Sequence, residues 1–264
     1  MNKILVPVDF SETSKNALVY AISLFGKLSI EITVLHTYEA KIKTGSLRSI
    51  DKILQEDAKN EMTNFMEEFA EKEPDIVLHS KIVGGDSVST IVSLGKSGKY
   101  DYIVMGTNGA SGLKEVFIGS VAGGVISQTT APVLVVPGSY KHRPLKEIVF
   151  AVSGFPFSSE SVVEPLRKIA KLCSCKTKVL HLTEEKPSGL EEVLSTIEDL
   201  KPIVSYSFGT GKINQRINDY MIKSKAELLC LVRRKKGFFS RIFDESVTLK
   251  QTFSSQVPIL ILHN

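Results

Sequence analysis

The chain repeats itself, and the repeat constrains the fold more than any single motif does. Lys3-Ile4-Leu5-Val6-Pro7-Val8-Asp9 is echoed by Glu147-Ile148-Val149-Phe150-Ala151-Val152-Ser153 at an offset of 144 residues, and Val34-Leu35-His36 by Val179-Leu180-His181 at 145. From there the offset falls to 126 and holds: Gly85 meets Gly211, Met105 meets Leu231, Ser120-Val121 meets Ser246-Val247, and Pro132-Val133-Leu134 meets Pro258-Ile259-Leu260. A register held over the last part of both halves implies two copies of one unit. The second copy is shorter by 145 − 126 = 19 residues, somewhere between its second strand and Gly211.

Each copy alternates short apolar runs with amphipathic stretches. In the first, strands are expected at 3–8, 30–36, 76–83, 101–105 and 133–136, and helices at 12–26, 47–72, 87–97 and 119–129. Ser11 caps the first helix, which carries Ala17, Leu18, Ala21, Ile22 and Phe25 on one face. Near-continuous apolar strands separated by helices imply a parallel sheet covered on both faces. The expected fold is therefore α/β, with two tandem doubly wound domains, 1–139 and 145–264, joined by a linker at 138–144. In such sheets ligands bind beyond the carboxyl ends of the strands, where the winding reverses. That singles out the loop after strand 1, Pro7-Val8-Asp9-Phe10-Ser11, and the loop after strand 4. The apolar strands 133–136 and 259–262 would be bare sheet edges, so they are expected to pair with each other as a pseudo-dimer within one chain.

The loop after strand 4 has its own chemistry. Tyr102-Ile103-Val104-Met105 breaks into Gly106-Thr107-Asn108-Gly109, and Gly119-Ser120 then heads an apolar helix. Glycines let a backbone approach a phosphate closely, and the unpaired N–H groups of a helix's first turn attract an anion. The stretch points to a nucleotide site.

Composition excludes several other classes. With 42% apolar and 23% charged residues the chain suits a globular domain, and no run approaches the roughly 20 apolar residues of a membrane span. Met1-Asn2-Lys3 leads directly into a strand without signal-peptide architecture, so a cytoplasmic protein is expected. Cys173, Cys175 and Cys230 lack zinc-ligand spacing. Residues 1–140 hold 13 Lys+Arg and 16 Asp+Glu, a net −3, while 141–264 hold 20 and 13, a net +7. The basic run Arg233-Arg234-Lys235-Lys236 reads as a solvated face; the rival reading is an anion contact, helped by Phe238, Phe239 and Arg241, and nucleic acid is not the expected partner. No nucleophile–base pattern, H-E-x-x-H or P-loop lysine is present, which leaves at most slow hydrolysis of a bound nucleotide. His36 and His181 recur at the same place in both copies, which favours a structural role for the imidazole.

The first half resembles a universal stress protein domain, and the whole chain resembles the tandem members of that family. The signature G-x-x-G-x9-G-[ST] is met by Gly106, Gly109, Gly119 and Ser120, and supporting matches are Val6 to Ser11, Leu35-His36 and Ala131 to Val136. The resemblance implies strand order 3-2-1-4-5 and an adenine nucleotide, ATP, ADP or AMP, with Mg²⁺ as an accompanying ion. By matching position it places Asp9 and the Thr37 backbone on the adenosine, with Pro7, Val8 and Met105 flanking. Gly106, Gly109, Gly119, Ser120 and Val121 then fall on the phosphates. It also implies a stress-response regulator that forms homodimers; a slow ATPase and a nucleotide-free scaffold are the alternatives. In the second half Gly106, Gly109, Gly119 and Asp9 become Val232, Lys235, Glu245 and Ser153, so no nucleotide is expected there in the same manner.

Overall fold

The protein is described from a computed structural model that covers residues 2–26, 30–39, 47–72, 76–107, 118–153, 157–183, 190–209, 213–234 and 256–264. Gly109, Gly211, Lys235, Lys236, Phe238, Phe239, Arg241, Glu245 and Ser246 lie outside the described residues.

In chain order the first half runs β1 (Asn2–Val8), α1 (Glu12–Phe25), β2 (Ile30–Tyr38), α2 (Leu47–Lys72), β3 (Val77–Gly84), α3 (Ser87–Lys96), β4 (Tyr102–Gly106), α4 (Ser120–Gln128) and β5 (Val133–Val136). The second runs β6 (Glu147–Val152), α5 (Glu164–Cys173), β7 (Lys176–Thr183), α6 (Glu191–Ser195), β8 (Ile203–Phe208), α7 (Ile213–Ser224), β9 (Leu228–Arg233) and β10 (Ile259–His263). All ten strands form one sheet in the order β3-β2-β1-β4-β5-β10-β9-β6-β7-β8. Each half is therefore wound 3-2-1-4-5, and the halves join where β5 and β10 pair antiparallel, Leu134 opposite Leu260. Among the described residues no helix is long and apolar enough to cross a membrane.

The repeat read from the sequence survives as sheet register. Ile4 pairs with Tyr102 and Ile148 with Leu228; Ile103 pairs with Val133 and Leu229 with Ile259. Even a clasp recurs: Asp101 Oδ2 accepts the Lys3 N–H at 2.9 Å, and its counterpart Glu227 accepts the Glu147 N–H at 3.0 Å. A carboxylate just before the fourth strand thus closes the open end of the first strand in both halves.

The shortening of the second half is now located. Val34 pairs with Ser80 and Val179 with Val204, so β8 stands 204 − 80 = 124 residues after β3. The loss is 145 − 124 = 21 residues between β7 and β8, and two are regained before α7. What is lost is the long helix: α2 has 26 residues, whereas α6 has five. Asp199 takes over part of its role, binding Arg167 Nε at 3.0 Å and Lys171 Nζ at 2.7 Å on α5. The β8 edge exposes three large apolar or aromatic side chains, Ile203, Tyr206 and Phe208, where the β3 edge exposes Val77.

Right-handed crossovers put α1 and α2 on one face of the first half and α3 and α4 on the other. Lys15 on α1 reaches Glu68 on α2 at 3.2 Å, and a Cβ on Gly124 of α4 would lie 3.0 Å from Val88 of α3. The segment between the halves, expected as a linker, is tied down. Asn16 Nδ2 donates to Pro137 O and Tyr140 O, both at 2.9 Å, and the buried Tyr140 ring meets Tyr20 edge-on at 5.8 Å. Its composition reads as loop, but its backbone carbonyls find their donor on α1.

Candidate functional site

At the carboxyl ends of β1, β2 and β4 lies a cavity of 310 Å³. Pro7, Val8, Asp9, Thr37, Met105, Gly106, Gly119, Ser120 and Val121 all line it, so every expected site residue among those described converges on one place. Ser14, Leu35, His36, Ser87, Ile91, Thr107 and Ala122 complete the wall.

Two residues past the end of β1 stands a residue with an unusual backbone. Phe10 has φ of 60°, in the left-handed region that costs a non-glycine residue energy. The turn brings its ring to 4.3 Å from the His36 ring, and Phe65 of α2 closes on Phe10 edge-on at 5.6 Å. His36 Nδ1 lies 2.9 Å from Val8 O. A carbonyl only accepts, so Nδ1 carries the proton and the imidazole buttresses the end of β1. Just before the turn, Asp9 Oδ1 accepts from Ser11 N at 3.2 Å and Ser11 Oγ at 2.5 Å, while Ser11 Oγ caps α1 by accepting from Ser14 N. The Asp9 carboxylate is thereby held at the middle of the crevice.

β2 extends through Thr37 and Tyr38, two residues past the expected end, because β3 continues beside it: Thr37 pairs with Val83 and Tyr38 with Gly84. Tyr38 O accepts the Gly85 N–H at 2.8 Å, so Tyr38 turns its backbone to β3. Alternation along the strand turns the Thr37 carbonyl to the β1 side, beyond Val8 where β1 stops. The Thr37 Oγ1 and Ser87 Oγ hydroxyls meet at 2.7 Å in the same wall.

On the β4 side, Gly119 N donates to Thr107 O and the buried Thr107 donates its N–H to Val136 O at 3.1 Å, which clamps the two ends of the glycine loop. Gly119 is the N-cap of α4, and the first intrahelical bond is Gly123 N to Gly119 O at 2.8 Å. The N–H groups of Ser120, Val121 and Ala122 therefore have no intrahelical acceptor, and these three residues line the cavity. Gly106 needs its hydrogen for another reason than the one expected. A Cβ there would come within 2.6 Å of Thr13 Cγ2 and 3.1 Å of Thr13 O, so α1 itself demands glycine at the end of β4.

The matching end of the second half is built differently. Val232, in the place of Gly106, is buried; Phe157 stacks on Phe150 at 6.1 Å, and the Arg234 guanidinium lies 5.4 Å over Phe157. Arg234 is thus partly buried on an aromatic ring, which corrects the solvated-face reading for that residue. Burial, and then the Arg233 cation, pull His263 down to about 4. An unfolded histidine titrates near 6.5, so between these values the unfolded chain binds the extra proton and stability falls as pH falls. His181 and His142, also lowered by burial, act in the same direction. Urea denaturation is expected to show a loss of about 2–3 kcal/mol from His263 between pH 6.5 and 4, and His263→Leu should flatten that slope.

Residues 1–137 match the universal stress protein family. The chain belongs to that family. It is 34% identical over 156 residues to universal stress protein MJ0577 of Methanocaldococcus jannaschii, covering 51% of this chain and 93% of that one. With universal stress protein YxiE of Bacillus subtilis it shares 32% over 145 residues, 51% of this chain and 98% of that one. Over its whole length it resembles the crystal structure of a universal stress protein from Archaeoglobus fulgidus, with a TM-score of 0.71 at 22% identity, covering 100% of this chain and 96% of that chain. This last likeness concerns the fold.

The sequence pointed to Gly106, Gly119 and Asp9, which line the cavity, and not to Ser87, which lines it too; Gly109 lies outside the described residues. The winding order contained the clue: α3 must cross back from β3 to β4, so its first turn passes over the end of β2.

Proposed function

We propose that this universal stress protein binds one adenine nucleotide per chain, in the crevice between β1, β2 and β4. The observation that carries the reading is the cavity's graded chemistry. One end presents the three α4 N–H groups that have no intrahelical acceptor, the middle presents the Asp9 carboxylate, and the far end presents the Thr37 carbonyl and two hydroxyls. A phosphate fits the helix end, where the dipole favours an anion. Asp9 would repel a phosphate and accept from ribose hydroxyls. The outward Thr37 carbonyl accepts from an exocyclic amino group, as on adenine. β2 and β4 flank β1, so their ends stand about 10 Å apart, which suits a nucleoside laid across β1 toward its phosphate.

The domain reading follows from the same site. Residues 1–139 form the nucleotide-binding domain, and 145–264 form a shorter domain whose altered motif serves structure or regulation. Among the described residues no three His, Cys, Asp or Glu converge as metal ligands, so Mg²⁺ would be held mainly by phosphate oxygens and water. Binding would bias conformation or partner surface in a cytoplasmic regulator. Mass spectrometry of nucleotide released by denaturing the purified protein tests the reading, with calorimetric titration of ATP, ADP and AMP beside it. The expected result is adenine nucleotide approaching one per chain, or saturable binding of one of the three. No released nucleotide together with no binding at millimolar concentration would sink it.

A further inference from the structure

The Thr37 and Ser87 hydroxyls come from different elements, β2 and the first turn of α3, and meet at 2.7 Å in the cavity wall. Ser87 stands immediately after Asp86, whose carboxylate caps α3 by accepting from Ser89 N at 2.8 Å and Ser89 Oγ at 2.6 Å. The Asp86 cap is therefore already committed, and Ser87 is free of capping duty. Counting protons decides what the pair offers a ligand. Two hydroxyls carry two protons; one lies between the oxygens, and one is left to donate. Beside them the Thr37 carbonyl turns past the end of β1 as an acceptor.

We propose that the Thr37–Ser87 hydroxyl pair supplies the donor half of a base-reading site, giving its remaining proton to a ring nitrogen adjacent to the exocyclic amino group that the Thr37 carbonyl accepts. An acceptor and a donor side by side match a 6-aminopurine, which presents an amino group flanked by acceptor nitrogens. A 6-oxopurine sets its own carbonyl oxygen against the Thr37 carbonyl, and the site rejects it. The inference rests on the nucleotide reading above and deepens it, because it assigns the ligand's base class to side chains on β2 and α3.

The test uses the double variant Thr37→Val/Ser87→Ala. A single substitution leaves the other hydroxyl with its proton and can hide the effect, whereas replacing both partners by apolar groups is close to neutral for stability. Calorimetry compares wild type and variants with ATP, 1-deaza-ATP, 7-deaza-ATP, ITP and inorganic tripolyphosphate. Wild type is expected to bind ATP roughly 10-fold more tightly than one of the two deaza analogues, and more tightly than ITP. The double variant should lose roughly 10-fold for ATP, become indifferent to that ring nitrogen, and bind tripolyphosphate as wild type does. One of the single variants should reproduce the loss and so identify the donating hydroxyl. Wild-type protein that binds ATP and both deaza analogues equally overturns the inference and leaves the nucleotide reading standing. Equal weakening of ATP and tripolyphosphate in the double variant also overturns it, since a collapsed crevice would behave that way. Wild-type protein that binds none of these ligands defeats both.

Discussion

Gly106→Val is expected to destabilise the protein by about 3 kcal/mol and to lower Tm by roughly 6–10 °C, even with no nucleotide present. Valine is what the second half carries at the matching position, Val232, where it is buried in the core without harm. In the first half the same atom has nowhere to go. The Cβ would meet Thr13 Cγ2 at 2.6 Å, and behind it stands the Thr13 carbonyl at 3.1 Å. The methyl can rotate away, but the carbonyl belongs to the first turns of α1 and moves only with the helix. Thr13 is pinned from the other side as well, because a Cβ on Gly138 would fall 2.7 Å from Thr13 Oγ1. A threonine wedged between two glycines draws α1 against the ends of β4 and β5. Thermal denaturation of Gly106→Ala with and without Thr13→Ala separates the two obstacles. The double variant should recover only part of the loss, since the backbone contacts with Thr13 O at 3.1 Å and Thr13 C at 3.3 Å remain. An unchanged Tm for Gly106→Val would mean that α1 tolerates the side chain and that the glycine serves a ligand alone.

The contrast between Gly106 and Ser87 shows what a sequence gives up and what it withholds. Strand order came from the family resemblance, whereas the correspondence of the two halves was legible because it repeats: the offset of 126 between β4 and β9 is the offset between β5 and β10, and both pairs align in the sheet. The β5–β10 seam was legible because a bare apolar edge has few other ways to be satisfied, although its antiparallel direction was not. The identity of the lost element was not, since Ile203-Val-Ser-Tyr-Ser-Phe208 and Val77-Leu-His-Ser-Lys-Ile-Val-Gly84 share little beyond strand character. Only their pairing with β7 and β2 fixes the offset of 124 and names α2 as what is missing. Thr37 and Tyr38 look like the start of a polar linker, yet β3 holds them in the ladder. Tyr140 sits in a Gly, Lys and Pro-rich stretch, yet Asn16, more than a hundred residues away, fixes its carbonyl. In each case the deciding partner is distant in sequence, and local propensity has no access to it.

Gly119→Glu should weaken adenine nucleotide binding by about 10-fold or more while leaving the fold nearly as stable as before. Glutamate is the residue at this position in the second half, Glu245, so the variant transplants one element of the altered motif into the first. Gly119 has φ of −60° and ψ of 166°, extended backbone open to any residue, so the substitution brings no backbone strain. It removes no capping bond either, because the N-cap of α4 makes none through a side chain. A carboxylate there competes for the N–H groups of Ser120, Val121 and Ala122, which are the donors assigned to the phosphate. It also stands against the phosphate itself, and two like charges about 4 Å apart near a protein surface repel by roughly 4 kcal/mol. Halved for solvent and side-chain freedom, that is about 2 kcal/mol and still exceeds the roughly 1.4 kcal/mol that makes a factor of ten. The neutral Gly119→Gln variant isolates the charge: it keeps the bulk and should recover much of the affinity. The loss in Gly119→Glu should also grow with the number of phosphates, from AMP through ADP to ATP, and shrink as salt is raised. If Gly119→Gln binds as poorly as Gly119→Glu, space rather than charge governs the helix end, and the electrostatic ground for expecting no nucleotide in the second half is wrong.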